Sequence, residues 1–106
     1  MAATQYYNTD VTKVPTDGGA VRVTIASNVG QGNGGTSLPC KKVWLITDGT
    51  DVRVNIGAAA SAVLGLPVTF FSSTVTTTPM ELEIDDVAKL YFYGTNAKVI
   101  DILYRR

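Results

Sequence analysis

Apolar and polar residues alternate strictly in three stretches of this chain: Val21-Arg22-Val23-Thr24-Ile25, Val52-Arg53-Val54-Asn55-Ile56 and Met80-Glu81-Leu82-Glu83-Ile84. A period of two sends successive side chains to opposite faces, so each stretch predicts a strand with one buried and one wet face. Three further runs, Val43 to Ile46, Leu90 to Tyr93 and Val99 to Tyr104, are apolar on both faces apart from Asp101. They predict strands at the centre of a sheet. Val68 to Val75 predicts a weaker strand. No window carries the apolar stripe of a helix. At most, Asp85 to Lys89 forms one helical turn.

The breaks between these runs carry turn residues. Asp48-Gly49 predicts a hairpin, and Gly94-Thr95-Asn96-Ala97 a second tight loop. About seven or eight short antiparallel strands imply an all-β sandwich of jelly-roll type, with an open barrel as the next choice. The expected organisation is an extended N-terminal arm over residues 1–19 and a β-sandwich domain over 20–106. Gly18-Gly19 would be the hinge between them.

Composition narrows what such a domain can do. The chain has 106 residues, 17% of them charged, and nine basic residues balance nine acidic ones. An average globular chain is roughly 25% charged. Zero net charge argues against nucleic acid or an anionic membrane as the main partner. Cys40 is the single cysteine, so no intrachain disulfide exists. The first residues lack the basic and apolar regions of a signal peptide, and the expectation is a soluble protein made in a reducing cytoplasm.

Two long stretches, Thr24 to Lys41 and Arg53 to Glu81, hold no charge between their ends. For Gly30 to Gly35, a flexible loop and a contact segment are equally consistent. Val63 to Phe71 is too apolar for a free loop and is expected to be buried or in contact with another surface.

Catalytic chemistry is hard to assemble from these residues. The chain has no histidine, which removes the usual general base, the usual zinc ligand and the Ser-His triads. Gly30, Gly32 and Gly35 match a dinucleotide-binding spacing, but Thr36 to Pro39 leads into a strand where a helix is required. Cys40 reads as a small buried apolar residue. Asp48, Asp51, Asp85 and Asp86 read as turn residues, without calcium-loop spacing. No cofactor and no metal are expected.

The aromatic residues offer more. If Leu45, Leu90 and Phe92 face the core, then Trp44, Tyr91 and Tyr93 face outward as a binding platform for protein or sugar. Coverage of the same strands by loops of this chain is equally consistent. In the arm, Tyr6 and Tyr7 form an aromatic pair suited to docking on a neighbour.

Four segments of the second half carry a resemblance: Val52-Arg53-Val54-Asn55-Ile56-Gly57, Gly65-Leu66-Pro67-Val68, Glu81 to Gly94 (ELEIDDVAKLYFYG), and Val99-Ile100-Asp101-Ile102-Leu103-Tyr104. Residues 41–106 resemble small β-sandwich structural proteins of tailed bacteriophages, among them capsid decoration or cement proteins. The pattern departs at Val68, where leucine is usual, and at Thr76 to Pro79, where a Gly-rich turn is usual. The resemblance implies a virion component, assembled in the host cytoplasm. Its partners would be the major capsid protein or other virion proteins, and it would form a homo-oligomer, a trimer first among the options. Neck, tail or fibre association and a carbohydrate-binding module for host adsorption are the alternatives.

Overall fold

The computed structural model describes residues 18–71 and 78–106. Eight strands form two antiparallel four-stranded sheets: β1 (Gly18–Thr24), β2 (Val29–Gln31), β3 (Lys42–Thr47), β4 (Arg53–Ile56), β5 (Leu66–Pro67), β6 (Met80–Leu82), β7 (Leu90–Tyr93) and β8 (Val99–Arg105). One sheet has the order β1-β8-β3-β6 and the other β2-β7-β4-β5. Strand β1 pairs with β8, β2 with β7, β3 with β6 and β4 with β5. That is one long ribbon of strand pairs, closed at its tip by β4–β5. It rolls into two sheets through the β3–β8 and β4–β7 contacts. This winding is the jelly roll, and it bears out the all-β sandwich expected from alternation.

The core lies between the sheets. Val23, Val43, Leu45, Val54, Leu90, Phe92, Ile100 and Ile102 are buried, each from the inward face of its strand. Burial of a side chain of this size contributes about 1.5–3 kcal/mol. Val52 and Val68 close the core at one end and Val87 at another. Asp101 faces outward between Ile100 and Ile102, as the alternation of β8 predicts.

Several connections differ from the sequence reading. The Asp48-Gly49 turn is not a hairpin, because β3 and β4 belong to opposite sheets. Polar side chains set its direction. Thr47 Oγ1 donates to Val99 O at 2.8 Å, Gly49 N donates to Thr47 Oγ1 at 3.1 Å, and Val99 N donates to Asp48 Oδ1 at 2.9 Å. These bonds hold the exit of β3 against β8, so the chain crosses to the facing sheet. The Gly94 to Ala97 loop crosses between sheets in the same way, from β7 to β8.

Gly18 and Gly19 are no hinge. They begin β1, opposite Arg105 and Tyr104. A Cβ at Gly18 would lie 2.4 Å from Tyr104 O, so only glycine fits this register. The weak strand expected over 68–75 is replaced by the two-residue β5 and a single bridge from Phe70 to Thr47. Residues 72–75 lie outside the described residues. Met80 to Ile84 forms a strand only as far as Leu82.

The helical turn narrows to Val87–Lys89, capped by Asp86. The Gly-rich stretch is docked there. A Cβ at Gly32 would meet Val87 O at 2.0 Å, and Gln31 Nε2 donates to Ala88 O at 2.8 Å. Asn33 and Gly34 take left-handed conformations in this turn. The turn packs against Val87, and Thr36 follows it in extended conformation, so no helix opens that would receive a phosphate.

Candidate interaction surfaces

The outer face of the β1-β8-β3-β6 sheet is built in rungs. Ala20, Leu103, Trp44 and Glu81 lie side by side across the four strands. The next rung holds Arg22, Asp101 and Ile46. Arg22 makes a two-point contact with Asp101, Nε to Oδ1 at 2.7 Å and Nη2 to Oδ2 at 3.2 Å. Lys42 pairs with Glu81, and its ammonium sits 5.7 Å from the centre of the Trp44 ring. Arg22 and Lys42 are thus each paired on this face, and Arg105 stands beside Lys42 at the end of the ladder. Between these charges runs an apolar groove of about 460 Å³, lined by Ala20, Trp44, Ile46, Pro79 and Leu103. Leu103 is 54% exposed, although β8 is a central strand.

The opposite outer face carries Tyr91 and Tyr93. One rung reads Val29, Tyr93, Arg53 and Pro67, and the next Gln31, Tyr91 and Asn55. Arg53 Nη2 donates to Gly65 O at 2.7 Å, which fixes the guanidinium on this face. Trp44, Tyr91 and Tyr93 point away from the core, on the strand faces opposite Leu45, Leu90 and Phe92. They do not form a shared platform, because Trp44 and the tyrosine pair lie on the two opposite outer faces of the sandwich. Period-two alternation tells inside from outside but not one sheet from the other. Tyr6 and Tyr7 lie outside the described residues.

The third surface is the uncharged chain from Ile56 to Phe71. Ser61 organises its tip: Ser61 N donates to Leu64 O at 3.0 Å, and Ser61 Oγ accepts from Val63 N at 3.3 Å and Leu64 N at 3.0 Å. This ordered turn presents Val63 at 89% exposure and Leu64 at 53%, with Leu66 at 59% and Phe71 at 54%. Ala60 and Val68, each at 6%, are the buried residues of this stretch. A cleft of about 290 Å³ between Ile56, Leu66 and Leu82 adjoins the ridge.

Asp86 and Asp51 are tied into the fold by backbone and hydroxyl donors. Asp86 Oδ1 accepts from Leu38 N at 2.8 Å and Ala88 N at 2.9 Å, and its other oxygen accepts from Ser37 Oγ. The Leu38 amide, then Ser37 and Ala88, hold this carboxyl below the usual carboxylate range. Asp51 accepts from Thr95 Oγ1 at 2.7 Å and Thr95 N at 3.3 Å, and these bonds lower it likewise. Cys40 is buried, and its thiol is pushed up first by burial and then by Asp86 and Asp85, which disfavours the nucleophilic thiolate. Among the described residues no group of three or more His, Cys, Asp or Glu side chains is placed to hold a metal ion. Comparison with protein families, with characterised proteins and with solved structures gave no match.

Proposed function

We propose that this chain is a non-enzymatic structural protein of a virus particle, a capsid decoration (cement) protein that bridges capsid subunits and stabilises the phage head. The observation that carries the reading is the ridge from Ile56 to Phe71. A folded domain exposes large apolar groups on an ordered, charge-free turn at a cost that contact with a partner removes. The resemblance of residues 41–106 to tailed-phage structural proteins implies a virion component whose partner is the major capsid protein or another virion protein. The jelly roll is used by capsid proteins and by lectins alike, and so supports the reading only as an analogy.

Purified chain is mixed with phage heads assembled without it, and the heads are pelleted. Saturable co-sedimentation, lost in Leu64→Asp while the circular dichroism spectrum stays native, is the expected result. Co-sedimentation indifferent to Leu64→Asp removes the ridge from the contact. No co-sedimentation at all removes the head-decoration reading and leaves neck, tail or fibre.

A second reading rests on Tyr91 and Tyr93. Two aromatic rings on one face, flanked by the amides of Gln31 and Asn55, suit stacking and hydrogen bonding to a sugar during host adsorption. Saturation-transfer NMR with host-surface glycans, repeated on Tyr91→Ala, tests it.

A further inference from the structure

The groove over Trp44 lies on the outer face of the sheet whose edge strand, β1, follows residues 1–17 in the chain. We infer that residues 1–17 of a second copy fill this groove, so that each copy lends its leading segment to a neighbour. The inference concerns how copies join one another, and it stands whatever shell they coat.

Two observations on the described residues select this occupant. The first is direction. Gly18 and Gly19 are locked into the β1–β8 ladder, and the strand enters the sheet beyond the rung that holds the groove, at Gly18 opposite Arg105. At Gly18 the strand axis points past the end of the sheet and away from Trp44 of the same copy. A stretch of 17 residues reaches up to about 56 Å when extended, well beyond the roughly 23 Å of a seven-residue strand. A neighbour is within range.

The second observation is chemical match. The two charged side chains that line the groove, Arg22 and Asp101, pair with each other, and Lys42 beside Trp44 pairs with Glu81. The occupant need bring no charge, only apolar and aromatic surface for Trp44, Leu103, Ile46, Pro79 and Ala20. Residues 1–17 offer the adjacent Tyr6 and Tyr7 together with Val11, Val14 and Pro15, and only three charged residues, Asp10, Lys13 and Asp17. Exchange of this kind gives a closed ring when the rotation between copies closes.

Trp44 is the single tryptophan, so its fluorescence reads the groove directly. The full chain is measured by sedimentation and acrylamide quenching over a dilution series, beside the full-length variants Tyr6→Ala/Tyr7→Ala and Leu103→Lys. Expected are an associated wild type with shielded Trp44, and exposure of Trp44 as dilution separates the copies. Both variants should associate at least about tenfold more weakly, with Trp44 open at concentrations where it is shielded in the wild type. Leu103 is half-exposed in the single chain, so Leu103→Lys keeps the fold and the test does not hang on one variant. Shielding that persists unchanged on dilution would mean that the chain's own segment covers the groove, and overturns the inference. So does a wild type that never associates. Weakening by Leu103→Lys alone identifies a different occupant, and weakening by neither variant places the contact elsewhere.

Discussion

The loops built around Asp48, Asp51 and Asp86 and the loop that runs from Ile56 to Phe71 use opposite chemistry. In the first set, short polar side chains satisfy backbone amides: Asp48 takes Val99 N, Asp51 takes Thr95 N, and Asp86 takes Leu38 N and Ala88 N. These bonds fix where the chain crosses from sheet to sheet, and the aliphatic neighbours Val52 and Val87 are buried beneath them. In the second, one serine orders a turn that carries large apolar side chains outward. Carboxylates that complete the fold from within have no need of a partner. An ordered apolar turn gains nothing from water, and under the proposed function its order serves contact with another surface. The fold is held by one set of loops and presented by the other.

The scale for testing this comparison comes from the core that both sets enclose. Ile102→Ala, at a position 1% exposed, should cost about 2–5 kcal/mol by urea denaturation. Its neighbour Asp101→Asn should leave the curve in place, since the pair with Arg22 is exposed. Equal losses at both would mean that the register of β8 is off by one. Next in size, Asp86→Ala should lower the melting temperature by roughly 5 °C through loss of a turn cap. Asp51→Ala should lower it by less.

The same carboxylates give an acid signature. Asp86 and Asp51 titrate below their unfolded value near 3.9. Their contribution is therefore complete above roughly pH 5 and lost as pH falls through that value toward the folded one. Asp86→Asn should flatten the acid limb of melting temperature against pH, and an unchanged limb would show that other groups dominate. On the apolar side, Val63→Asp should shift stability by less than about 0.5 kcal/mol and still abolish attachment to heads. A large loss of stability there would make the ridge structural and collapse the comparison. The smallest effect is expected from EDTA: an unchanged melting temperature, checked by scanning fluorimetry.

Inside and outside were legible in the sequence; the assignment of strands to sheets was not. Val21 to Ile25 and Val99 to Tyr104 announce their buried faces by alternation, and Asp101 marks the wet side. Strand β2 escapes because it is three residues long with glycine at its centre. Its entry turn, Ser27-Asn28, has both residues at positive φ without the glycine that usually marks such turns. Strand β5 is two residues and includes Pro67. The Asp48-Gly49 turn carries a hairpin signature, but hydrogen bonds to Val99, some fifty residues away, decide its direction, and no local pattern contains them. For the same reason Trp44 and the tyrosine pair read as one set and fold onto opposite faces.

The pairing of β1 with β8 has a mechanical consequence. The two strands are antiparallel neighbours, and Gly18 lies beside Arg105 at one end of their ladder. A pull applied at these two residues loads the Gly18–Arg105 rung alone, and the ladder opens one hydrogen bond at a time. A load carried through the faces or the ridge is instead shared across the strands of a sheet. Tension along the chain would unzip the domain at low force, and in an optical trap with handles at Gly18 and Arg105 the first extension should be the release of β1. A domain built in this way is suited to being pressed between neighbours and poorly suited to being a link in a stretched tether.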